Sequence, residues 1–147
     1  MTRRPNNRRA TLLGGFLLLA WGCSSSVSPT PSLDLTGTFV GSASDSTGSA
    51  TLTLVLAQSG NSISGTAAGV SSQGLQSRGT VSGTLAGTTL TFTLTVPVGG
   101  YSTPLQTCSA TVQGSAQVSA SAIEGTYSGT HTCLGPVSNG QFALRRQ

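Results

Sequence analysis

The clearest pattern along this chain is a strict alternation of apolar and hydroxyl side chains. Residues 51–56 place Leu at every second position, and residues 90–96 alternate apolar residues with Thr without a break. A period of two predicts β-strands with one face toward a core and the other toward water. β-Branched Thr also suits the outer face of a strand. The domain part of the chain shows no helical period, so the sequence predicts an all-β protein.

Short turn signals divide this pattern into eight segments. Loops at 60–61 and 87–88 contain Gly, which is typical of two-residue hairpins, and 120–121 repeats the small-residue pattern without Gly. Eight antiparallel strands of even spacing favour a closed up-and-down barrel, because closure removes unpaired edges. A β-sandwich is the second interpretation. We expect strands near 37–44, 50–59, 62–69, 78–86, 89–97, 108–119, 122–133 and 140–146.

The beginning of the chain has the pattern of an export signal. Four Arg lie in residues 1–9, residues 10–21 are mostly apolar, and Gly22-Cys23 closes the apolar run. A basic region, a short apolar region and a small residue at a cleavage point are typical of secretory signals. The apolar run is short for a membrane-spanning helix, which needs about 20 residues. With Cys at the junction, the segment resembles the lipobox of bacterial lipoproteins.

This resemblance implies that residues 1–22 are removed and that Cys23 carries a diacylglyceryl group and a further acyl chain, such as palmitate. The protein would then be exported and attached to a membrane of the cell envelope by lipid. Ser24, directly after the Cys, resembles the sorting pattern for the outer membrane of Gram-negative cells. Residues 23–35, rich in Ser and Pro, are expected to form a linker, and 36–147 the barrel domain. An ordinary secretory signal or an N-terminal membrane anchor is the alternative.

Removal of the signal would also change the charge of the protein. The formal net charge of the full chain is +4, but four of its seven basic residues lie before residue 10. The chain that remains after the signal has three acidic and three basic side chains, so its charge gives no reason to expect a nucleic-acid partner. We predict no cofactor, and the oligomeric state is left open. The charged residues that remain after Cys23 are Asp34, Asp45, Arg78, Glu124, Arg145 and Arg146.

The remaining two Cys predict a disulfide. Cys108 and Cys133 lie twelve residues before and twelve residues after the loop at 120–121, so a regular hairpin places them opposite each other. Opposed Cys on neighbouring strands lie within disulfide reach, at a Cα separation of about 4.5 Å in a non-hydrogen-bonded pair. One bond is the simplest use of two Cys in an exported domain. A metal site with His131 and Glu124 is the alternative, but it offers few ligands.

Two further features resemble the lipocalin-like (calycin) barrels. Gly37-Thr38-Phe39 stands where that superfamily carries Gly-x-Trp at the start of its first strand. Arg145 or Arg146 stands on the last strand, where the superfamily carries a basic residue over that aromatic. The resemblance implies an eight-stranded lipocalin-like barrel. A barrel that spans an outer membrane is a further alternative, but its outward face would be apolar with aromatic girdles, and here one face is Ser and Thr.

The predicted topology also indicates where a site would lie. Alternate connections of an up-and-down barrel share one end, so the tight loops lie at one end, and 45–49, 70–77, 98–107 and 134–139 frame a mouth at the other. Ligand sites of barrels lie at such mouths. We therefore predict a site for a small apolar or amphipathic ligand. Its candidate residues are Arg78, Tyr101, Tyr127 and His131.

No catalytic residue and no metal ligand is predicted. His131 is the single His, and the chain has no Lys. A hydrolase arrangement of Ser, His and Asp would need Asp34 or Asp45, and no Ser stands in a nucleophile-elbow motif. An uncharacterised hydrolase is therefore the weaker alternative. The main alternative to ligand binding is a ligand-free structural or interaction protein of the envelope.

Cys23→Ser is expected to abolish acyl labelling and to release the protein from the membrane fraction. Two or three acyl chains hold a protein firmly at about 0.8 kcal/mol per buried CH₂, and Ser offers no thiol for their attachment. Metabolic labelling with a fatty acid, followed by fractionation, measures both effects, with Ser24→Ala as the control. Unchanged membrane fractionation of Cys23→Ser would contradict the anchor.

Overall fold

In this computed structural model, residues 33–147 are described. The predicted signal at 1–22, the lipidation site Cys23 and the linker up to residue 32 lie outside the described residues. Residues 33–147 contain no helix that is long and apolar enough to cross a membrane. The strands are β1 (Gly37–Asp45), β2 (Gly48–Ser59), β3 (Ser62–Ser71), β4 (Gln76–Ala86), β5 (Thr89–Val96), β6 (Ala110–Val118), β7 (Ala122–His131) and β8 (Gly135–Arg146).

The strands form one closed antiparallel sheet. Each strand pairs with the next along the chain, and β8 returns to pair with β1, so the order around the barrel is the order in sequence. The prediction of an all-β, eight-stranded up-and-down barrel of the lipocalin-like kind is confirmed. The hairpin turns follow the predicted chemistry, because Gly60 and Gly87 have positive φ angles of 58° and 61°.

The alternation seen in the sequence separates an apolar interior from a hydroxyl-rich surface. In β2, Leu54 and Leu56 are buried while Val55 between them is 49% exposed. In β5, Leu90 and Phe92 are buried on either side of the exposed Thr91. Because the side-chain period of a strand is two, this burial pattern also determines the pairing register.

The predicted register of the β6–β7 hairpin is confirmed. Ala110 pairs with His131, and Val118 pairs with Ile123, with no bulge between them. Cys108 and Cys133 form the disulfide, and their Cα atoms are 5.7 Å apart. This distance exceeds the predicted 4.5 Å and is usual for a disulfide, and both Cys lie just beyond the strands rather than inside them. The bond closes the hairpin at its open end, and it stabilises the fold by about 3 kcal/mol on the chain-entropy estimate.

The prediction was wrong about the start of β8. The segment 134–139, expected to be a loop, belongs mostly to a strand that begins at Gly135. A bulge makes this possible: two residues, Ser138 and Asn139, stand opposite Ser128, and Asn139 has a positive φ of 54°. The bulge reverses the alternation, so Val137 turns into the interior and is 6% exposed. The connection predicted at 45–49 is likewise shorter, since β2 begins at Gly48.

Inward-facing Gly residues allow neighbouring strands to approach closely. A Cβ atom on Gly41 would overlap the carbonyl oxygen of Ala143, and one on Gly65 would overlap that of Val55. Such positions let a sheet bend sharply enough to close into a barrel. These glycines therefore shape the wall, because neighbouring backbone fills the space beside them. The same overlap with backbone would occur at Gly79, Gly83, Gly114, Gly125 and Gly129.

One end of the barrel is sealed by the segment that precedes β1. Leu35 and Phe39 are fully buried there. The Gln58 side chain holds this segment from β2: its amide nitrogen donates to the Leu33 carbonyl at 2.9 Å, and its amide oxygen accepts from Leu35 N–H at 2.8 Å. The packed structure therefore includes Leu33 and Leu35, which precede the domain start expected at residue 36.

Arg146, near the end of β8, completes this seal. Its guanidinium donates to the carbonyls of Ala120, Thr36 and Asp34 at 2.6, 2.6 and 2.7 Å. The guanidinium carbon lies 4.6 Å from the centre of the Phe39 ring. Of the two candidates on the last strand, Arg146 is thus the residue over the aromatic. Arg145 instead forms an exposed ion pair with Glu124 at 2.8 Å.

Arg146→Ala is expected to lower the free energy of unfolding by about 2–4 kcal/mol, because it removes three charge-assisted hydrogen bonds and a cation–π contact. Arg145→Ala is the matched control: it removes a cation from the neighbouring position but loses only an exposed ion pair, so less than about 1 kcal/mol is expected. Urea unfolding of both variants measures the difference. Equal losses in the two variants would contradict the role given to Arg146.

Candidate functional site

Four connections frame the end of the barrel opposite to the seal. They comprise residues 46–47, 72–75, 97–109 and 132–134. The longest, 97–109, lies against β4: Arg78 N–H donates to Gly100 O at 2.7 Å, and Ser102 N–H donates to Gln76 O at 3.0 Å. The connections predicted at 70–77 and 98–107 therefore emerge at the same end. We call this end the mouth.

A cavity of about 290 Å³ runs from the mouth into the barrel. This volume lies at the lower edge of the range of about 300–1,000 Å³ that is usual for small-molecule sites. Its deeper walls are aliphatic and aromatic. Because the cavity reaches into the barrel, side chains fill the interior only in part. The innermost lining residues include Leu54, Leu56, Ile63, Leu90, Phe92 and Ile123.

Polar groups lie at the mouth end of this apolar cavity. Tyr127, on β7, donates its hydroxyl hydrogen to Asp45 Oδ2 at 2.8 Å, across 82 residues of sequence. Asp45 Oδ1 also accepts from the Thr47 N–H at 2.7 Å. Burial, followed by this hydrogen bond and the Asp45 charge, raises the pKa of Tyr127 well above its usual range. Among the lining residues that the structure describes, Asp45 is the one carboxylate, and none is Arg or Lys.

His131, the last residue of β7, also lines the cavity and is only 6% exposed. Its Nδ1 accepts the N–H groups of Cys133 and Leu134, both at 3.2 Å. Its Nε2 is buried and has no hydrogen-bond partner among residues 33–147. Burial lowers the pKa of His131, and the negative charge of Asp45 opposes this shift. The ring is therefore held in its neutral form at neutral pH.

Tyr101 brings the long connection into contact with this site. Its ring centre lies 5.0 Å from that of His131, and the two rings are tilted by 47°. An isolated bridge to Ser77 fixes its backbone against the end of β4. Burial, followed by the Asp45 charge, raises the pKa of the Tyr101 hydroxyl. The side chain of Tyr101 thus forms part of the mouth.

The structure brings together three of the four predicted site residues. Tyr101, Tyr127 and His131 line one cavity, whereas Arg78 is exposed and does not. Arg78 lies on the outer face of β4 because its neighbours Ser77 and Gly79 have the inward parity. Asp45 was not among the candidates. The predicted first strand ended at residue 44. Extending it by one residue would have placed Asp45 on the same inward face as Ala43.

The acidic residues do not form a hydrolase arrangement with His131. Asp45 bonds Tyr127 and Thr47, and Asp34 lies at the sealed end, where its carboxylate accepts from Thr36 N–H at 2.8 Å. Within residues 33–147, no group of three or more His, Cys, Asp or Glu is placed to hold a metal ion. The site is thus an apolar cavity with a few polar groups at its opening.

No protein-family model and no curated protein matches this chain. Similar solved structures include designed barrels. The redesigned β-barrel mFAP1 bound to DFHBI has 21% identity and a TM-score of 0.57, over 76% of this chain and 94% of that one. EF1p2_mFAP2b bound to DFHBI has 19% identity and a TM-score of 0.61, over 77% of this chain and 94% of that one. A third structure, a de novo designed fluorescence-activating β-barrel, has 21% identity and a TM-score of 0.55, over 76% of this chain and 93% of that one. At these identities the likeness establishes the fold alone.

The pKa of His131 is expected to lie below its ordinary value of 6.5. Because the folded protein then binds this proton more weakly than the unfolded chain, the stabilisation is complete above pH 6.5 and declines as the pH falls toward the folded pKa. Proton NMR of the single His gives the pKa, and urea unfolding at several pH values gives the stability.

Two variants separate the causes of this shift. Asp45→Asn should lower the pKa of His131 further, because the carboxylate charge that opposes the shift is removed while an acceptor for Tyr127 remains. Glu124→Gln, on the outer face, should leave it unchanged. A pKa at or above 6.5 in the unaltered protein would show that His131 is not desolvated as described.

Proposed function

We propose that this protein is a lipid-anchored barrel of the bacterial cell envelope that holds a small apolar or amphipathic molecule in its interior. If the cell is Gram-negative, the outer membrane is the proposed site of attachment. The observation that carries the binding function is the cavity of about 290 Å³, which opens at the mouth and has apolar walls. A ligand there would gain about 25 cal/mol for each Å² of apolar surface removed from water.

The similar designed barrels support this proposal. Two similar structures are bound to DFHBI, and this supports a binding role for the same fold here. In the present chain, the deep lining is apolar and the polar side chains stand near the opening. This distribution fits an amphipathic molecule whose polar group remains close to the mouth.

Attachment to the envelope is proposed from the Arg-rich start, the apolar run and Gly22-Cys23. The described chain begins with Leu33, and Gln58 and Arg146 hold that segment at the sealed end. A lipid on Cys23 would therefore leave from the end opposite to the mouth. We infer that the mouth faces the aqueous compartment, as a statistical preference, because residues 23–32 have the composition of a flexible linker.

A structural or interaction protein without a ligand is the second candidate function. It is favoured by the filled part of the barrel, where Leu35, Phe39 and Leu144 are fully buried. Binding is preferred because the filling does not extend to the mouth. We infer binding rather than catalysis, since the single His has its Nδ1 engaged by backbone N–H groups and is not hydrogen-bonded to either Asp.

Ala43→Phe is expected to abolish or strongly weaken ligand binding. Ala43 is a small residue on the cavity wall, and a larger ring would occupy the space. Overlap of this kind costs about 1–3 kcal/mol, which corresponds to a loss of about 5-fold to about 150-fold in affinity. Ser44→Phe is the matched control, because it introduces the same ring at the exposed neighbouring position.

Native mass spectrometry of the protein purified from its own cells shows whether a small molecule is retained. A bound molecule that is present with Ser44→Phe and lost with Ala43→Phe would support the proposal. A barrel that carries no molecule, and that does not bind decane in calorimetry, would favour the ligand-free alternative.

A further inference from the structure

His131 presents a buried hydrogen-bond donor that the fold does not use. Two backbone N–H groups occupy Nδ1 as an acceptor. In a neutral imidazole with Nδ1 as the acceptor, the proton is on Nε2, which is then a donor. Within the part of the chain that the structure describes, this Nε2–H has no partner, and its side chain lines the cavity and is more than nine-tenths buried. Buried donors are nearly always paired, so this one indicates a partner from outside the described barrel.

We propose that the cavity selects a neutral amphiphile with a hydrogen-bond acceptor, such as a ketone, aldehyde or ester, whose oxygen accepts from His131 Nε2–H. This inference rests on the binding function proposed above and specifies the chemistry of the ligand. An acceptor without a charge matches a neutral donor at the end of an apolar cavity. An alkane of the same length would contact the apolar walls but leave the His131 donor unpaired.

The charges at the mouth exclude the commonest anionic amphiphiles. Asp45 is the one fully charged side chain among the described lining residues, and it is negative. Arg78 is on the outer face, and Arg145 and Arg146 lie at the other end of β8. The chain contains no Lys. A fatty-acid carboxylate would therefore be buried near a like charge without a counter-ion, which is unfavourable.

The same carboxylate is a poor partner for an amine. Asp45 Oδ2 already accepts from the Tyr127 hydroxyl, and Oδ1 accepts from Thr47. A ligand ammonium would have to compete with these hydrogen bonds. His131 Nε2–H, in contrast, forms no hydrogen bond with any described residue. The geometry thus favours the histidine over the aspartate as the polar contact of the ligand.

The size of the cavity limits the ligand to a small molecule. A volume of about 290 Å³ lies at the lower edge of the range that is usual for small-molecule sites. A chain of about ten carbons is therefore a suitable probe. The Nε2 atom is enclosed, so an incoming oxygen has to displace a neighbour. The Tyr101 ring, which stands on the long connection 97–109 beside His131, is the group placed to move.

Four ten-carbon probes test this proposal: methyl octyl ketone, decane, decanoate and decylamine. Calorimetry on the full chain with Cys23→Ser, which carries no acyl group of its own, gives the four affinities. The ketone should bind roughly tenfold more tightly than decane, as expected for one additional buried hydrogen bond. Decanoate should bind more weakly than the ketone, and Asp45→Asn should narrow that difference.

Two substitutions of His131 separate its two nitrogens. His131→Asn can place its Oδ1 acceptor near the position of Nδ1, but its shorter amide leaves no donor at the position of Nε2, so the preference for ketone over decane should disappear. His131→Gln retains a donor near the position of Nε2, so the preference should persist. In nitrogen NMR, the single imidazole should carry its proton on Nε2, and this signal should shift with the ketone and not with decane.

Each outcome decides the proposal. Equal binding of ketone and decane, or a preference that persists in His131→Asn, would overturn it while leaving ligand binding intact. Tighter binding of decylamine would identify Asp45 as the polar contact instead. Tighter binding of decanoate would overturn the charge argument. Failure of all four probes would overturn both this inference and the binding function on which it rests.

Discussion

Closure of the sheet between β1 and β8 is the constraint on which the rest of this structure depends. An eight-stranded sheet closes only if its strands coil strongly, and a small barrel has little room for side chains where neighbouring strands approach. Gly41 lies at this seam, opposite Leu144, and the carbonyl of Ala143 occupies the place of its missing side chain. The inward glycines elsewhere have the same consequence. They allow the sheet to close into a barrel, whereas larger side chains at these positions would keep neighbouring strands apart.

The closed barrel then divides into two parts with different tasks. At the sealed end, Leu35, Phe39 and Arg146 fill the interior and bind the start of the domain to its end. Toward the mouth, the walls remain apolar but the filling stops. The sealed end supplies the filled core and the disulfide Cys108–Cys133 ties the mouth end, so the mouth can keep a cavity without losing its attachment to the barrel.

Local patterns in the sequence predicted the parts of this fold that depend on local rules. Alternating Leu and Thr located the strands, and equal spacing about 120–121 gave the pairing of Cys108 with Cys133. The start of β8 was missed because Pro136 and the Asn139-Gly140 pair resemble a turn, whereas the chain uses them around a bulge. Asp45 was missed because the predicted strand ended one residue before it, and its partner Tyr127, distant in sequence, gave no local signal. The volume of the cavity depends on the curvature of the whole sheet, which no local pattern encodes.

The grip of Arg146 and Gln58 on the segment before β1 has a mechanical consequence. A protein attached to a membrane by its N-terminus is pulled at that point whenever a load acts on its body. Here the load would reach the Asp34 and Leu33 carbonyls first, and their hydrogen bonds pass it to β8 and β2. It would thus be shared across the seam before any strand of the sheet begins to peel. A barrel held by these hydrogen bonds resists separation of its first strand when a load acts at its N-terminal end.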